Sequence, residues 1–311
     1  MWTRRLAHSS PRPGFTILEL MVVLTLIGVL LVLISSALLS GRSAARRLTC
    51  SNNLHQIGLA LENYRSQHGR RPPTKSEYFA LLPQLDQNEL YERWLTDEGF
   101  SHQRLPVWEC PSEVNADGAD FFVNYGANQG VFGLKTFLIH ATDRGYAEFW
   151  DGPGDPSDDG ESNTALMADV VRGTKRSYPG DGPTGRAVQW PVAKIHDLSE
   201  DREALRMDCE SLIPSVTLFE QAHFRSTESC PTIAGCAFYK HYQQPNHRSC
   251  VNGPGMAEIA TGWGGFKTDT ASSYHADGGV NVLYGDGRVK SVSPSVDLTV
   301  WRAAGTGAMG D

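Results

Sequence analysis

An uncharged stretch of 20 residues, positions 20–39, constrains this chain more than any other feature of its sequence. As an α-helix it would be about 30 Å long, which matches the apolar core of a bilayer. The rest of the sequence holds no second stretch of this kind, and the chain's 40% hydrophobic and 20% charged residues are typical of globular proteins. We therefore expect one membrane-spanning helix and a globular body.

Glu19 lies at the beginning of this stretch, where burying a carboxylate in hydrocarbon is costly. Three alternatives remain open from the residues alone. A secretory signal could be cleaved at Ser35-Ser36-Ala37, although the stretch is longer than the apolar core of such signals. A plain signal anchor could place Glu19 at the membrane interface. A leader could instead be cleaved before the stretch, which would leave the helix on the mature protein.

The body of the protein is acidic. The formal net charge is −7, and Arg4, Arg5 and Arg12 lie before the apolar stretch with no acidic residue beside them. A body of this charge lacks the basic surface that nucleic-acid binding requires, so we expect no nucleic-acid partner. One Gly- and Pro-rich segment concentrates carboxylates, a composition that fits both a solvated loop and a flexible calcium-binding loop. The candidate calcium ligands are Asp151, Asp155, Asp158, Asp159 and Glu161.

The cysteines form an even set of 6 without a Cys-x-x-Cys pair. Behind an export or anchor segment, such a set favours disulfide bonds. The candidates are Cys50, Cys110, Cys209, Cys230, Cys236 and Cys250. A zinc site is the alternative, although its spacing matches no standard zinc pattern. That alternative uses Cys230, Cys236, His241, His247 and Cys250.

Hydrophobic periodicity predicts that the helix continues beyond the apolar stretch. Apolar residues recur at steps of four and three from Cys50 to Tyr64, which places them on one helix face. Gly69 and then Pro72-Pro73 end this helix. One or two short helices are expected next, broken at Pro83.

Strand patterns follow in the second half of the chain. Residues 164–171, "TALMADVV", predict a buried strand. In residues 278–293, Val280, Val282 and Tyr284 alternate before an Asp286-Gly287 turn, which predicts a hairpin. The expected fold class is α+β, with a long N-terminal helix, half of it transmembrane, packed on a mostly antiparallel β head.

The residues around the start of the apolar stretch resemble the prepilin cleavage and methylation motif. Gly14 precedes Phe15, and Glu19 is the fifth residue after the glycine. In type IV prepilins and type II secretion pseudopilins, a membrane peptidase cuts after this glycine and the new N-terminal residue is N-methylated. The resemblance implies a cut between Gly14 and Phe15, methylation of Phe15, and prepilin peptidase as a partner. Glu19 would then pair with the terminal amine of a neighbouring subunit, which recovers much of its burial cost.

Four further stretches resemble the bacterial family of pilin-leader proteins called domain of unknown function 1559. These are residues 50–64, 110–112, 124–130 and 272–293. The family's closing motif has nine residues between a histidine and Asp-Gly, whereas ten separate His275 from Asp286 and Gly287 here. Because Cys50 and Cys110 lie in two of these stretches, the resemblance also implies that they pair and tie the long helix to the head.

Together these patterns predict a structural subunit and not an enzyme. We expect a pseudopilin-like subunit of a type II secretion or type IV pilus-like assembly, in the inner membrane, with other pilin-like subunits or itself as partners. The alternative is a membrane-anchored module that binds a glycan, a peptide or calcium and does not polymerise. No cofactor other than calcium is expected. The expected divisions are a leader (1–14), a transmembrane helix (15–40), its continuation (41–69) and an extracytoplasmic head (70–311).

Overall fold

The computed structural model describes residues 14, 16–72, 77–96, 105–113, 123–131, 160–171, 188–197, 202–213, 223–224, 238–253 and 268–306. The chain divides into two compact units, Met1–Ala44 and Ala45–Asp311. The helices are α1 (Ile17–His68), α2 (Glu77–Ala80), α3 (Asn88–Thr96), α4 (Arg202–Ser211) and α5 (Leu298–Ala303). The strands are β1 (Tyr125–Asn128), β2 (Ala165–Asp169), β3 (Val188–Pro191), β4 (His223–Phe224), β5 (Phe238–Tyr239), β6 (Ser249–Val251), β7 (Val280–Tyr284) and β8 (Val289–Val292).

The first unit contains the N-terminal part of α1. Ile17–Ile34 is exposed along its whole length and has a mean hydropathy of 3.0. It is long and apolar enough to cross a membrane, and among the described residues no second helix passes this test. This part of α1 therefore has the length and composition of the predicted span.

Within the second unit, α1 buries one face in the hydrophobic core. Cys50, Leu54 and Ile57 are fully buried, at the spacing that the sequence predicts. The helix ends at His68, and the next residue, Gly69, has φ = 68° and donates its N–H to the Arg65 carbonyl at 2.8 Å. A left-handed residue of this kind is favoured as glycine, so Gly69 ends the helix as expected.

The short helices predicted after α1 are α2 and α3. A 3₁₀ turn, Pro83–Leu85, separates them, because a proline inside a helix removes a hydrogen bond and clashes with the preceding turn. The rings of Phe79 and Trp94 stack with centroids 5.2 Å apart and hold the two helices together.

The main sheet has the strand order β5-β1-β2-β7-β8. Its neighbours pair antiparallel except β1 and β5, which are parallel. β2 lies within the predicted strand 164–171, and β7 and β8 form the predicted hairpin, with Gly287 at φ = 80° in its turn. The α+β class with a mostly antiparallel sheet is therefore confirmed.

β7 is buried on both faces, including the face of Leu283, which lies between the alternating residues Val282 and Tyr284. Val280 packs in a cluster with Trp301 of α5, and Leu283 packs in the cluster that contains the buried face of α1. At Gly58 the helix comes so close that a Cβ would lie 2.8 Å from Leu283 Cδ1. A strand covered on both sides can carry apolar residues at successive positions, which explains why Leu283 directly follows Val282.

A second sheet has the strand order β4-β3-β6, and a disulfide connects it to α4. The Cys209–Cys250 disulfide joins α4 to β6. The Cys50–Cys110 disulfide joins α1 to the segment after Trp108, and this is the pair that the family resemblance implies. The expectation of disulfides is confirmed, while Cys230 and Cys236 lie outside the described residues.

Candidate functional sites

α1 begins with a capping box formed by Thr16 and Glu19. The backbone N–H and the hydroxyl of Thr16 both donate to Glu19 Oε2 at 2.9 Å, and the Glu19 N–H donates to Thr16 Oγ1 at 3.2 Å. In such a box a threonine and a glutamate three residues later satisfy each other's backbone donors. Glu19 therefore stabilises the first turn of its own helix.

This local role of Glu19 was not foreseen, although Thr-x-x-Glu before an apolar run is its sequence signature. Gly14 is exposed next to the expected cut, and Phe15 lies outside the described residues. A carboxylate accepts hydrogen bonds at both oxygens. The cap through Oε2 is therefore compatible with a second partner at Oε1, and pairing between subunits stays a prediction.

His275 lies beside the Cys50–Cys110 disulfide in the interior of the second unit. Its Nε2 is 3.5 Å from Cys110 Sγ, and its Nδ1 is 3.2 Å from the Gly279 carbonyl oxygen. Because a carbonyl only accepts, Nδ1 carries the proton and Nε2 presents its lone pair to the sulfur. Burial lowers the pKa of His275, so the ring is neutral at neutral pH.

Asp169, the last residue of β2, completes this buried group. Its Oδ2 accepts the Asn281 N–H at 2.6 Å and lies 3.6 Å from His275 Nδ1. Its Oδ1 is buried and has no hydrogen-bond partner within the described part of the chain. Burial raises the pKa of Asp169 to about 8, against the opposing effects of the Asn281 hydrogen bond and the Arg47 charge. The carboxyl is therefore mostly neutral at pH 7.

The other residues of the closing motif, and Asp277 within the interval that it spans, have structural roles. Asp286 Oδ1 accepts the Arg288 N–H at 3.1 Å in the β7–β8 turn, and Gly287 supplies its left-handed residue. Asp277 forms an ion pair with Arg47. His275 precedes β7 and Asp286 follows it, so the strand separates the two side chains that the motif groups together.

Glu161 is the one described member of the candidate calcium ligands. Its Oε1 accepts from Arg65 Nη1 at 2.5 Å, in a partly exposed ion pair. The other four candidates lie outside the described residues. Calcium binding therefore stays a prediction. In the structure the carboxylate of Glu161 is paired with Arg65.

The alternative zinc site fails at two of its proposed ligands. Cys250 is bonded to Cys209. The buried His241 ring donates from Nδ1 to the Trp301 carbonyl at 2.6 Å, and its Nε2 accepts from the Tyr239 hydroxyl at 3.1 Å. With the disulfide intact Cys250 offers no thiolate, and both ring nitrogens of His241 have partners, so this histidine has no lone pair for zinc even after reduction.

The methylation motif and the apolar helix define the class of this protein. The family model of the prokaryotic N-terminal methylation motif matches residues 10–35. This motif implies processing by prepilin peptidase, and with the apolar helix it is typical of a membrane-anchored pilin-like protein with an extracytoplasmic domain. The chain belongs to the family described as protein of unknown function (DUF1559), whose model matches residues 39–299.

A curated relative supports the pilin-like class. The chain is similar to type II secretion system core protein G of Pseudomonas aeruginosa strain PAO1, with 29% identity over 107 residues. The aligned region covers 34% of this chain and 74% of that protein. No solved structure matches the chain. Both resemblances recognised in the sequence, to the DUF1559 family and to pseudopilins, are confirmed.

Proposed function

We propose that this protein is a pseudopilin-like structural subunit of a type II secretion or type IV pilus-like assembly. Prepilin peptidase removes residues 1–14, Phe15 is N-methylated, and residues 15–40 span the inner membrane. Residues 41–69 continue the helix, and residues 70–311 form the head outside the cytoplasm. The single observation that carries this proposal is the position of Glu19, in the first turn of an apolar helix and next to the cleavage motif.

Cleavage gives Glu19 a partner that the uncut chain lacks. It creates an ammonium group at Phe15, four residues before the carboxylate. A lone carboxylate in an apolar bundle is costly, and an oppositely charged partner recovers much of that cost. Within its own chain Glu19 caps α1 through Oε2. Its Oε1 is the atom that we propose binds the Phe15 ammonium of a neighbouring subunit, which would hold the helices in register.

The proposed activity is assembly and not catalysis. The ionisable groups in and near the closing motif have structural partners in the described part of the chain. His275 Nδ1 is bonded to Gly279, Asp286 closes a hairpin turn, and Asp277 pairs with Arg47. A catalytic site needs such groups to converge on a substrate position, which supports a non-enzymatic role.

Substituting Glu19 separates subunit pairing from helix capping. Glutamine can serve in a capping box but carries no charge, whereas alanine removes both functions. Breaking a buried ion pair costs about 3–5 kcal/mol, which is more than a 100-fold loss in association. We therefore expect both Glu19→Gln and Glu19→Ala to abolish cross-links between subunits in membranes. The measurement is photo-cross-linking from a probe at Leu48, which is exposed on α1.

The matched control is Thr16→Ala, which removes the capping partner and keeps the charge. It should retain most of the cross-linking, because capping contributes only about 1 kcal/mol. Each variant is first checked by mass for cleavage after Gly14. If Glu19→Gln assembles like the wild type while Thr16→Ala does not, capping alone explains the carboxylate and the pairing mechanism is wrong.

A further inference from the structure

The buried group of Cys50, Cys110 and His275 has the composition of a metal site. One ligand atom from each residue lies within 4.8 Å of the others, and all three side chains are buried. Thiolate sulfur and imidazole nitrogen are the ligands that Zn²⁺ prefers in proteins. In the structure described here, the two sulfurs are joined in a disulfide, so the sulfur ligands are not yet thiolates.

The ring of His275 is already oriented for binding a metal. Its Nδ1–H donates to the Gly279 carbonyl, which fixes the tautomer and leaves the Nε2 lone pair facing Cys110 Sγ at 3.5 Å. Histidines that ligate metals characteristically donate their other N–H to a carbonyl or a carboxylate. The hydrogen bond to Gly279 supplies this outer-shell contact before any metal is present.

Asp169 is the second observation that points to a cation. Its side chain is buried, and its Oδ1 has no hydrogen-bond partner among the residues that the structure describes. A buried acceptor without a partner costs free energy, so its presence in the core calls for an explanation. Its Oδ2 lies 3.6 Å from His275 Nδ1. A cation held at Nε2 of His275 would favour the ionised form of this otherwise neutral carboxyl, which lies on the Nδ1 side of the same ring.

We propose that Cys50, Cys110 and His275 form a latent zinc site that the disulfide closes and a dithiol reductant opens. The dithiol gives up two electrons and two protons, the S–S bond breaks, and two thiols form while the dithiol becomes a disulfide. Zn²⁺ then displaces the two thiol protons and binds both thiolates and Nε2. A water completes the tetrahedron, and the two thiolates neutralise the ion. This inference concerns the second unit alone and does not depend on the proposed assembly.

The test uses the full chain in detergent micelles. Cys230 and Cys236 are changed to serine in every sample, so that they add no thiols. The chain is reduced with a dithiol, separated from it without oxygen, and titrated with Zn²⁺ against a chromogenic chelator. We expect one zinc ion per reduced chain and none bound by thiolate in the oxidised chain. Co²⁺ in place of zinc should give a thiolate-to-cobalt charge-transfer band only after reduction.

Paired variants identify the ligands. Cys50→Ser with Cys110→Ser should abolish the cobalt band, whereas Cys209→Ser with Cys250→Ser, which opens the other disulfide, should retain it. His275→Gln keeps both disulfides and should weaken zinc binding by more than about 100-fold, beyond the loss expected for an outer-shell partner. Asp169→Asn should weaken it by about 10- to 100-fold.

Circular dichroism before reduction shows whether His275→Gln is folded. Because this variant keeps both disulfides, it tests the site even if the cysteine variants do not fold. The proposal is overturned if the reduced chain binds no zinc. It is also overturned if the affinity is unchanged by His275→Gln or by loss of Cys50 and Cys110.

Discussion

Trp301→Ala is expected to lower the free energy of unfolding of the second unit by about 3–5 kcal/mol. The indole is 1% exposed, stacks on His241 with ring centroids 3.8 Å apart, and donates from Nε1 to the Gln243 carbonyl at 2.8 Å. Asp297 holds this residue in place by capping α5 at the N–H groups of Thr299 and Val300. Truncation therefore removes apolar burial and leaves a buried carbonyl without its donor.

Urea denaturation of the full chain in micelles, followed by far-ultraviolet circular dichroism, measures this loss. Val300→Ala is the matched control, because Val300 is next to Trp301 on α5 but is 62% exposed. This substitution should change the free energy of unfolding by less than about 0.5 kcal/mol. Trp301→Phe keeps a ring but not the N–H and should fall between the two. Equal stabilities for Trp301→Ala and Val300→Ala would show that α5 does not close the core.

Acid is expected to destabilise the second unit through His241. Its burial lowers the pKa of the ring to about 3, from 6.5 in the unfolded chain. Between these values the unfolded state binds a proton that the folded state excludes, so stability falls as the pH falls. This loss is about 1.4 kcal/mol per pH unit below 6.5, or roughly 2–3 kcal/mol at pH 4.5. Above pH 6.5 the contribution is fully present.

The steric surroundings of His241 support this expectation. A Cβ at Gly305 would lie 2.4 Å from His241 Cγ, so the buried ring packs directly against the Gly305 backbone. Unfolding curves of the wild type and His241→Gln at several pH values isolate the contribution of His241 to the pH dependence of stability, because the other titrating groups are common to both proteins. The variant should show a shallower acid slope by about one proton. Trp301→Phe, which disturbs the same cluster but keeps His241, should retain the wild-type slope. Identical slopes for wild type and His241→Gln would contradict a neutral buried His241.

Much of the fold is legible in local patterns of the sequence. The spacing of Cys50, Leu54 and Ile57 predicts the buried face of α1, and Gly69 predicts its end, because both depend on residues a few positions apart. The β7–β8 hairpin is equally local, since Asp286-Gly287 supplies the turn. The alternation of Val280, Val282 and Tyr284 gave no sign that Leu283 is also buried, because that burial depends on α1, which lies more than two hundred positions earlier.

The parallel pairings could not be predicted in this way. β5 joins β1, and β6 joins β3, through long connections that leave no local signature. Each of these strands has only two to four residues, too few for a reliable periodicity. Their short length and distant partners explain why the second sheet was not foreseen.

The candidate sites also differ in whether they depend on neighbouring or on distant residues. The cleavage motif at Gly14, Phe15 and Glu19 is contiguous and was recognised from the sequence, whereas the Thr16–Glu19 cap was overlooked. Asp169 was only one residue within the predicted strand 164–171. Its contact with His275 joins positions more than one hundred residues apart, so only the fold brings them together.

The mass of the N-terminal peptide of the protein recovered from membranes tests the central claim most directly. The account predicts a mature chain that begins at Phe15 and carries one methyl group on its amine. That result would establish pilin-type processing and place a charged amine four residues before Glu19. A chain that begins at Met1, or after Ala37, would contradict the account, because the helix would then serve as a plain anchor or be removed as a secretory signal.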